Sequence, residues 1–253
     1  MGGPVCQIAV IVPTYNERKN LPELGAAILA LDGDLQLIVV DDASPDGTGE
    51  IADEMATRTG RVTVVHRSSK QGLGTAYTTG FQRALAMGAE RVVTMDADFS
   101  HDPRYIPELV ECSVAYDVVI GSRYIPGGAV KLWGWERRFL SWGANTLAHL
   151  ALGLQAHDCT SGYRCYRRDA LARIDFHTIR ADGYSYLIEL LFRCQRLGLR
   201  IGETPITFVD RQLGVSKISR QEILKAAVTI VRLLWQQRGA PALQALAPNS
   251  RRR

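Results

Sequence analysis

Short apolar runs alternate with longer amphipathic ones through the first half of the chain. Residues 8–12, 35–40, 62–66, 91–95 and 117–120 are four to six residues long, rich in β-branched side chains and bounded by polar or turn residues. Runs of that length and composition predict buried strands. Between them the apolar positions recur at helical spacing over residues 21–31, 49–58, 75–87 and 103–112. Strand and helix in strict alternation predict an α/β chain with a mostly parallel, doubly wound sheet flanked by helices. After Gly121 the rhythm changes. Gly127-Gly128 predicts a flexible loop, residues 133–154 a helix carrying Trp133, Trp135 and Trp142, and residues 184–197 another. Residues 218–237 read as an amphipathic helix with Lys225, Arg232 and Arg238 on its polar side. Gly239, Pro241, Pro248 and the final arginines predict a frayed tail over 239–253, leaving one unit over 1–238.

Three of the strands end in polar clusters. Residues 8–12 lead into Pro13-Thr14-Tyr15-Asn16-Glu17, and residues 35–40 into Asp41-Asp42 and the turn Ser44-Pro45-Asp46-Gly47. Residues 91–95 lead into Asp96-Ala97-Asp98. In a parallel sheet all three clusters emerge on one edge, where open α/β sheets bind ligands. Alone, the D-x-D pair fits a helix start as well as a cation site. With two more clusters on the same edge it reads as part of a nucleotide site. Asp42 then accepts hydrogen bonds from a base or ribose, and Asp96 and Asp98 hold Mg²⁺ or Mn²⁺ on a diphosphate.

Charge is split along the 253 residues. Residues 1–120 carry 9 Lys and Arg against 17 Asp and Glu, net −8; residues 121–253 carry 21 against 9, net +12. An acidic half beside a basic half suggests a second, anionic ligand or an anionic surface. No aromatic-rich RNA-binding motif, zinc finger or helix-turn-helix pattern is present, so no nucleic-acid partner is expected. The five cysteines are scattered, without a C-x-x-C pair, which fits a reducing compartment. No basic leader precedes an apolar segment, and no apolar stretch reaches the ~18 residues of a membrane span. Gly72-Leu73-Gly74 lacks the third glycine of a dinucleotide fingerprint, and P-loop and G-x-S-x-G motifs are absent. His66, His101, His149, His157 and His177 show no i,i+4 pairing and read as packing or surface residues.

Taken together, Pro13-Thr14-Tyr15-Asn16-Glu17, Val40-Asp41-Asp42-Ala43-Ser44-Pro45-Asp46-Gly47, Gly72-Leu73-Gly74-Thr75-Ala76-Tyr77 and Asp96-Ala97-Asp98 resemble the family 2 glycosyltransferases of GT-A fold. Gly121-Ser122-Arg123-Tyr124, Trp135-Glu136-Arg137-Arg138, Thr160-Ser161-Gly162-Tyr163-Arg164 and Asp210-Arg211 with Gly214-Val215-Ser216-Lys217 narrow the resemblance to dolichol- or polyprenol-phosphate mannose synthases. The resemblance spans about residues 5–235. It implies that Pro13, Tyr15, Glu17, Val40 and Asp42 hold the nucleoside of GDP-mannose. It implies that Asp96, Ala97 and Asp98 form the metal and diphosphate segment, with Asp98 a direct ligand. Ser100 stands where some relatives place a metal-binding Gln. Arg123, Arg211 and Lys217 match positions that meet the donor diphosphate and the acceptor phosphate, and Arg137 and Ser141 match an acceptor-phosphate contact beside Arg138.

The chemistry points the same way. Sugar transfer from a nucleotide diphosphate needs its leaving charge stabilised, by a divalent cation and cationic side chains. An alcohol acceptor would need a general base, and none stands out beyond the metal-site acids. A phosphate acceptor is already anionic, so a polyprenyl monophosphate is favoured, with inversion to a β-linked product. The enzyme is expected at the cytoplasmic face of a membrane, peripherally or with a membrane-protein partner. Residues 131–154 mix tryptophans with Lys131, Arg137 and Arg138 as interfacial segments do; residues 218–237 fit either a membrane surface or the core. Glucose or another sugar from a different nucleotide, or a non-catalytic nucleotide-binding module, are the competing readings.

Overall fold

The structure, a computed structural model, describes residues 7–31, 34–210 and 220–244, without the side chains of 136, 137, 220–223 and 238–244. In chain order the elements are β1 (Ile8–Thr14), α1 (Leu21–Leu29), β2 (Leu35–Asp41), α2 (Thr48–Thr59), β3 (Val62–His66), α3 (Leu73–Ala86), β4 (Arg91–Thr94), α4 (Ile106–Cys112) and β5 (Val118–Ser122). There follow β6 (Ala129–Lys131), α5 (Trp135–Leu152), β7 (Arg164–Arg167), α6 (Arg168–Leu171), α7 (Tyr184–Arg196), β8 (Ile201–Pro205), β9 (Thr207–Val209) and α8 (Arg220–Gln244). Seven strands make one sheet in the order β3-β2-β1-β4-β7-β5-β8, and β6 pairs with β9 apart from it.

Four of the five strand runs read from sequence, β3, β2, β1 and β4, form one contiguous side of this sheet, and β5 lies beyond β7. β1 is parallel to both neighbours, with Ile11 opposite Ile38 and Thr94. Its interior residues are fully buried because helices cover both faces, which is why the run lacks polar alternation. α3 lies unusually close to the sheet: a Cβ on Gly80 would sit 2.5 Å from the Ile11 side chain, so only glycine allows this contact. Two apolar clusters result, one between the sheet and α3, α5 and α7, the other under α1, α2 and α4.

β7 is the one strand that runs against its neighbours, antiparallel to β4 and to β5. This reversal matters for the site. The end of β7 that begins the strand lies on the same edge as the carboxyl ends of β1, β2, β4 and β5, so residues 160–163 join the three polar clusters there.

Four expectations are corrected. The second half contributes strands as well as helices: Arg164-Cys165-Tyr166-Arg167 carries charge at both ends and Ile201-Gly202-Glu203-Thr204-Pro205 mixes polar with turn residues, so neither shows an apolar run. Trp133 precedes α5 rather than lying on it, because Leu132 turns into a left-handed conformation (φ +65°) and Gly134 caps the helix. Gly127 and Gly128 form a tight turn instead of an open loop: a Cβ on Gly128 would lie 2.7 Å from the Ser122 carbonyl oxygen. α8 continues to Gln244, past Gly239 and Pro241. A helix that is already nucleated and packed on α5 and α7 propagates over weak formers.

α8 also settles the choice between core and surface by using two faces. Ile230 and Leu233 are buried against the core, while Leu224, Val228, Val231 and Trp235 are exposed. Arg232, expected on the polar side, turns inward to the buried Glu189 of α7.

Candidate functional site

The loops at the sheet's ligand edge are held in costly conformations. Asn16, Ala43 and Phe99, which follow β1, β2 and β4, all adopt positive φ (61°, 56° and 60°). Each costs of order 1 kcal/mol and persists only where surrounding contacts fix it. Those contacts are visible at β2. Asp41 accepts from Thr14 Oγ1 (2.8 Å), the Ser44 amide (3.0 Å) and Ser44 Oγ (2.6 Å), tying the β1 and β2 loops together. Asp41 is thereby structural, and its neighbour Asp42 turns the other way.

Asp42 is buried and fully engaged. It accepts the Gln71 and Gly72 amides at 3.0–3.1 Å and pairs with Arg67, whose side chain is 5% exposed, at 3.0 Å. Arg67 also donates to the Gly72 carbonyl and to Gln71 Oε1, so one cation fastens the 67–72 loop beside Asp42. The sequence reading did not single out Arg67; its signal is its place directly after β3 on the same edge. Lys70 of this loop puts its ammonium 3.7 Å from the centre of the Tyr15 ring. Glu17 donates its amide to Thr48 Oγ1 and accepts from Asn20 Nδ2. Pro13 is half-buried at the end of β1. Val40 is fully buried in the core, so only its main chain stands at the edge.

The D-x-D turn is pinned at several points. Asp96 accepts from the Tyr77 hydroxyl at 3.1 Å, and its amide donates to Nδ1 of His101 at 3.1 Å. Burial, then the Asp96 charge, raises the Tyr77 hydroxyl pKa well above its ordinary value, so it stays a donor. Asp98 accepts the Ser100 amide at 3.1 Å, and Ala97 packs into the core between the two carboxylates. Ser100 Oγ is buried with no hydrogen-bond partner, one of a few such atoms among the described residues. An orphaned hydroxyl beside two carboxylates fits a divalent ion and its water shell. Among the described residues no three His, Cys, Asp or Glu side chains form a cage. Two carboxylates with substrate oxygens and water are the donor set that Mg²⁺ and Mn²⁺ accept.

Arg123 sits across the cleft from this turn, at the end of β5. It forks onto Asp158 through Nε and Nη2, both at 2.7 Å, and Nη2 also reaches Thr160 Oγ1 at 2.8 Å. Both partners of this pair are buried. Burial alone would raise the Asp158 carboxyl, but Arg123 and its hydrogen bonds outweigh that and hold it below its ordinary value. Asn145 of α5 fastens the same loop, accepting the Cys159 and Thr160 amides and donating to Thr160 Oγ1. Arg164, fully buried, donates to the carbonyls of Cys159, Ser161 and Leu187. Tyr124, Trp133 and Phe208 surround the Arg123 guanidinium at 5.3–5.6 Å. Ser141 accepts from the Tyr124 hydroxyl at 2.8 Å. The Arg137 side chain, Arg211 and Lys217 lie outside the described residues.

Part of this set, from Asp96 to Arg123 and Ser141, lines one open cleft. Its polar lining is Asp96 and His101 with Arg123, Ser141, Thr160 and Ser161. Leu140, Ala144, Leu187, Ile188 and Ala226, from α5, α7 and α8, form its apolar end.

Residues 9–175 match the family model described as glycosyl transferase family 2. The chain belongs to that family. This glycosyltransferase is 44% identical over 238 residues to polyprenol monophosphomannose synthase of Mycolicibacterium smegmatis, covering 93% of this chain and 89% of the relative. It is 44% identical over 226 residues to undecaprenyl-phosphate mannosyltransferase of Micrococcus luteus, covering 89% and 93%. Among solved structures, it is similar to glucosyl-3-phosphoglycerate synthase from Mycobacterium tuberculosis in complex with Mn²⁺, UDP and glucosyl-3-phosphoglycerate. That match has a TM-score of 0.63, 22% identity, and covers 90% of this chain and 80% of the other. The mostly parallel sheet and its flanking helices are those of a GT-A glycosyltransferase, as the sequence resemblance implied.

Proposed function

We propose that the chain transfers mannose from GDP-mannose to a polyprenyl monophosphate, with inversion to the β-linked lipid phosphate. One observation carries this reading: a single cleft brings together the Asp96 carboxylate of the D-x-D turn, a buried arginine and an apolar wall. A nucleotide sugar, a phosphate and an isoprenoid chain present the complementary surfaces. Both curated relatives are mannosyl transferases to polyprenyl phosphates by name, which supports the sugar and the acceptor.

Asp96 and Asp98, with Ser100 Oγ through water, would hold Mg²⁺ or Mn²⁺. The bound cation would offset charge on the departing diphosphate. Arg123, anchored through its fork on Asp158, would bring the rest of its guanidinium to the acceptor phosphate. A phosphate oxygen forms the new bond to the anomeric carbon as the bond to GDP breaks, and no proton has to leave the acceptor. His101 is unsuited to act as a base, because Nδ1 is already occupied by the Asp96 amide. The exposed Trp135, Phe139 and Trp142 of α5 and Val228, Val231 and Trp235 of α8 would rest on the bilayer beside the apolar end, with or without a membrane-protein partner. No helix among the described residues is long and apolar enough to cross a membrane. The free cysteines, Cys112, Cys159, Cys165 and Cys194, suit the cytoplasmic face.

The test is formation of lipid-soluble product from GDP-mannose and a short polyprenyl phosphate with Mg²⁺ or Mn²⁺. Product that is lost with EDTA and is β-linked is expected. An α-linked product would refute inversion, and stronger turnover of UDP-glucose would replace mannose by glucose.

A further inference from the structure

His101 is absent from every role described above except as an anchor, yet its setting is that of a working group. The ring is 2% exposed, stacked on Tyr163 at 4.9 Å and edge-on to Phe208 at 5.5 Å, so its plane is fixed. Nδ1 accepts the Asp96 amide at 3.1 Å, which leaves no hydrogen on that nitrogen. A neutral imidazole with Nδ1 as acceptor must carry its proton on Nε2. Among the described residues nothing accepts from Nε2, and the ring lines the cleft together with Asp96 and Arg123. Cε1, the ring carbon next to Nε2, lies 3.7 Å from where a Cβ on Gly162 would be, so this side of the ring faces a residue without a side chain. A donor on the cleft wall without a protein partner is met by water until a ligand offers an acceptor in its place.

We propose that His101 offers its Nε2–H to a phosphoryl oxygen of the nucleotide sugar, at the junction where the diphosphate leaves the sugar. The inference rests on the nucleotide-sugar reading of the site. A neutral donor there stabilises growing negative charge without adding a cation beside the metal-binding carboxylates. The fixed tautomer does two jobs with two nitrogens: Nδ1 holds the D-x-D turn, and Nε2 faces the substrate.

Two substitutions separate those jobs. His101→Asn places an oxygen near Nδ1 and keeps the Asp96 contact but removes the cleft donor. His101→Gln reaches the Nε2 position but gives up the Asp96 acceptor. The expected result is a kcat about 100-fold lower for Asn, with Gln within about tenfold of the parent, each measured where the variant is folded. Asn at parental rate with Gln impaired would reduce His101 to an anchor and overturn the proposal. A raised KM for polyprenyl phosphate with unchanged kcat would place the contact on the acceptor and overturn it too. Should both variants fail to fold, ¹⁵N-histidine spectra of the parent protein decide. The Nε2-protonated tautomer, with an Nε2 resonance that moves on adding GDP and Mg²⁺, is expected; the other tautomer or no movement overturns the proposal. A parent protein that binds GDP but makes no mannolipid would refute the acceptor assignment while leaving the GDP-induced shift readable. A parent that binds no nucleoside diphosphate would sink both.

Discussion

In the nucleotide half, Asp42, Asp96 and Asp98 stand at strand ends on an open edge, steadied by main-chain amides and by hydroxyls or a single arginine. In the half beyond Gly121 the arrangement is turned inside out. Arg123, Asp158, Arg164 and Glu189 are buried, whereas Trp135, Phe139, Trp142, Val228 and Trp235 face outward. The first half mostly follows the ordinary rule of apolar inside and charge at the rim, with Asp41 and Asp42 as buried, hydrogen-bonded exceptions. The second breaks it more often, and under the proposed function both kinds of break would serve a ligand that is anionic at one end and apolar along its length. Buried, paired charges would give a rigid phosphate site, and apolar side chains at the surface would meet a bilayer. The net charges of −8 and +12 already hint at the division, but not at which charges go inside.

The comparison is broken most severely at the acidic edge. Asp98→Asn keeps the shape of the turn and removes one charge from the pair proposed to hold the metal. Turnover is expected to fall about 1,000-fold at saturating Mg²⁺, with thermal stability nearly unchanged. Initial rates across a Mg²⁺ and Mn²⁺ series measure it. Parental rates would mean that the edge rich in carboxylates is not the reacting end.

Next in size is the buried pair. Asp158→Ala leaves the Arg123 guanidinium in the interior with only Thr160 as partner, at a cost of about 3 kcal/mol by urea unfolding. The same pair sets an acid limit. Asp158 titrates below its ordinary range when folded, so the unfolded chain binds protons first as pH falls. Its contribution is complete above about pH 4 and is lost progressively below that. Unfolding midpoints of the parent and of Asp158→Ala should therefore converge as pH drops through that window. A constant gap would separate Asp158 from the acid transition.

How much was legible follows the same boundary. β1, β2 and β4 announce themselves as apolar runs ending in acids, because strands covered on both faces need unbroken hydrophobicity. β7 was invisible for the opposite reason: Arg164 lies in the core of the sheet, tied to three carbonyls instead of packed among apolar neighbours. No periodicity marks a charge satisfied by backbone oxygens. His101 shows the limit within the legible half. Reading histidines by i,i+4 pairing passed over it, while its place three residues after Asp98, inside the turn that the acids define, was the available sign. Trp133 looked like its neighbours Trp135 and Trp142, and only the bend at Leu132 turns it inward onto Phe208 and Arg123.

The smallest effect sharpens the comparison on a single helix. α8 carries apolar residues on two faces, and sequence alone could not divide them. Leu233 is fully buried, and truncating it to alanine should cost about 2–4 kcal/mol in unfolding free energy with vesicle binding retained while the protein is folded. Trp235 is 78% exposed, and Trp235→Ser should change stability by less than about 0.5 kcal/mol. If the outer face rests on lipid, that same change weakens binding to vesicles containing anionic lipid by about tenfold, since interfacial affinity follows the apolar area inserted. Flotation with each variant reads the two faces separately. Equal binding by parent and Trp235→Ser, with Trp135→Ser on α5 also without effect, would remove the bilayer as the reason for the exposed face and leave a protein subunit as its cover.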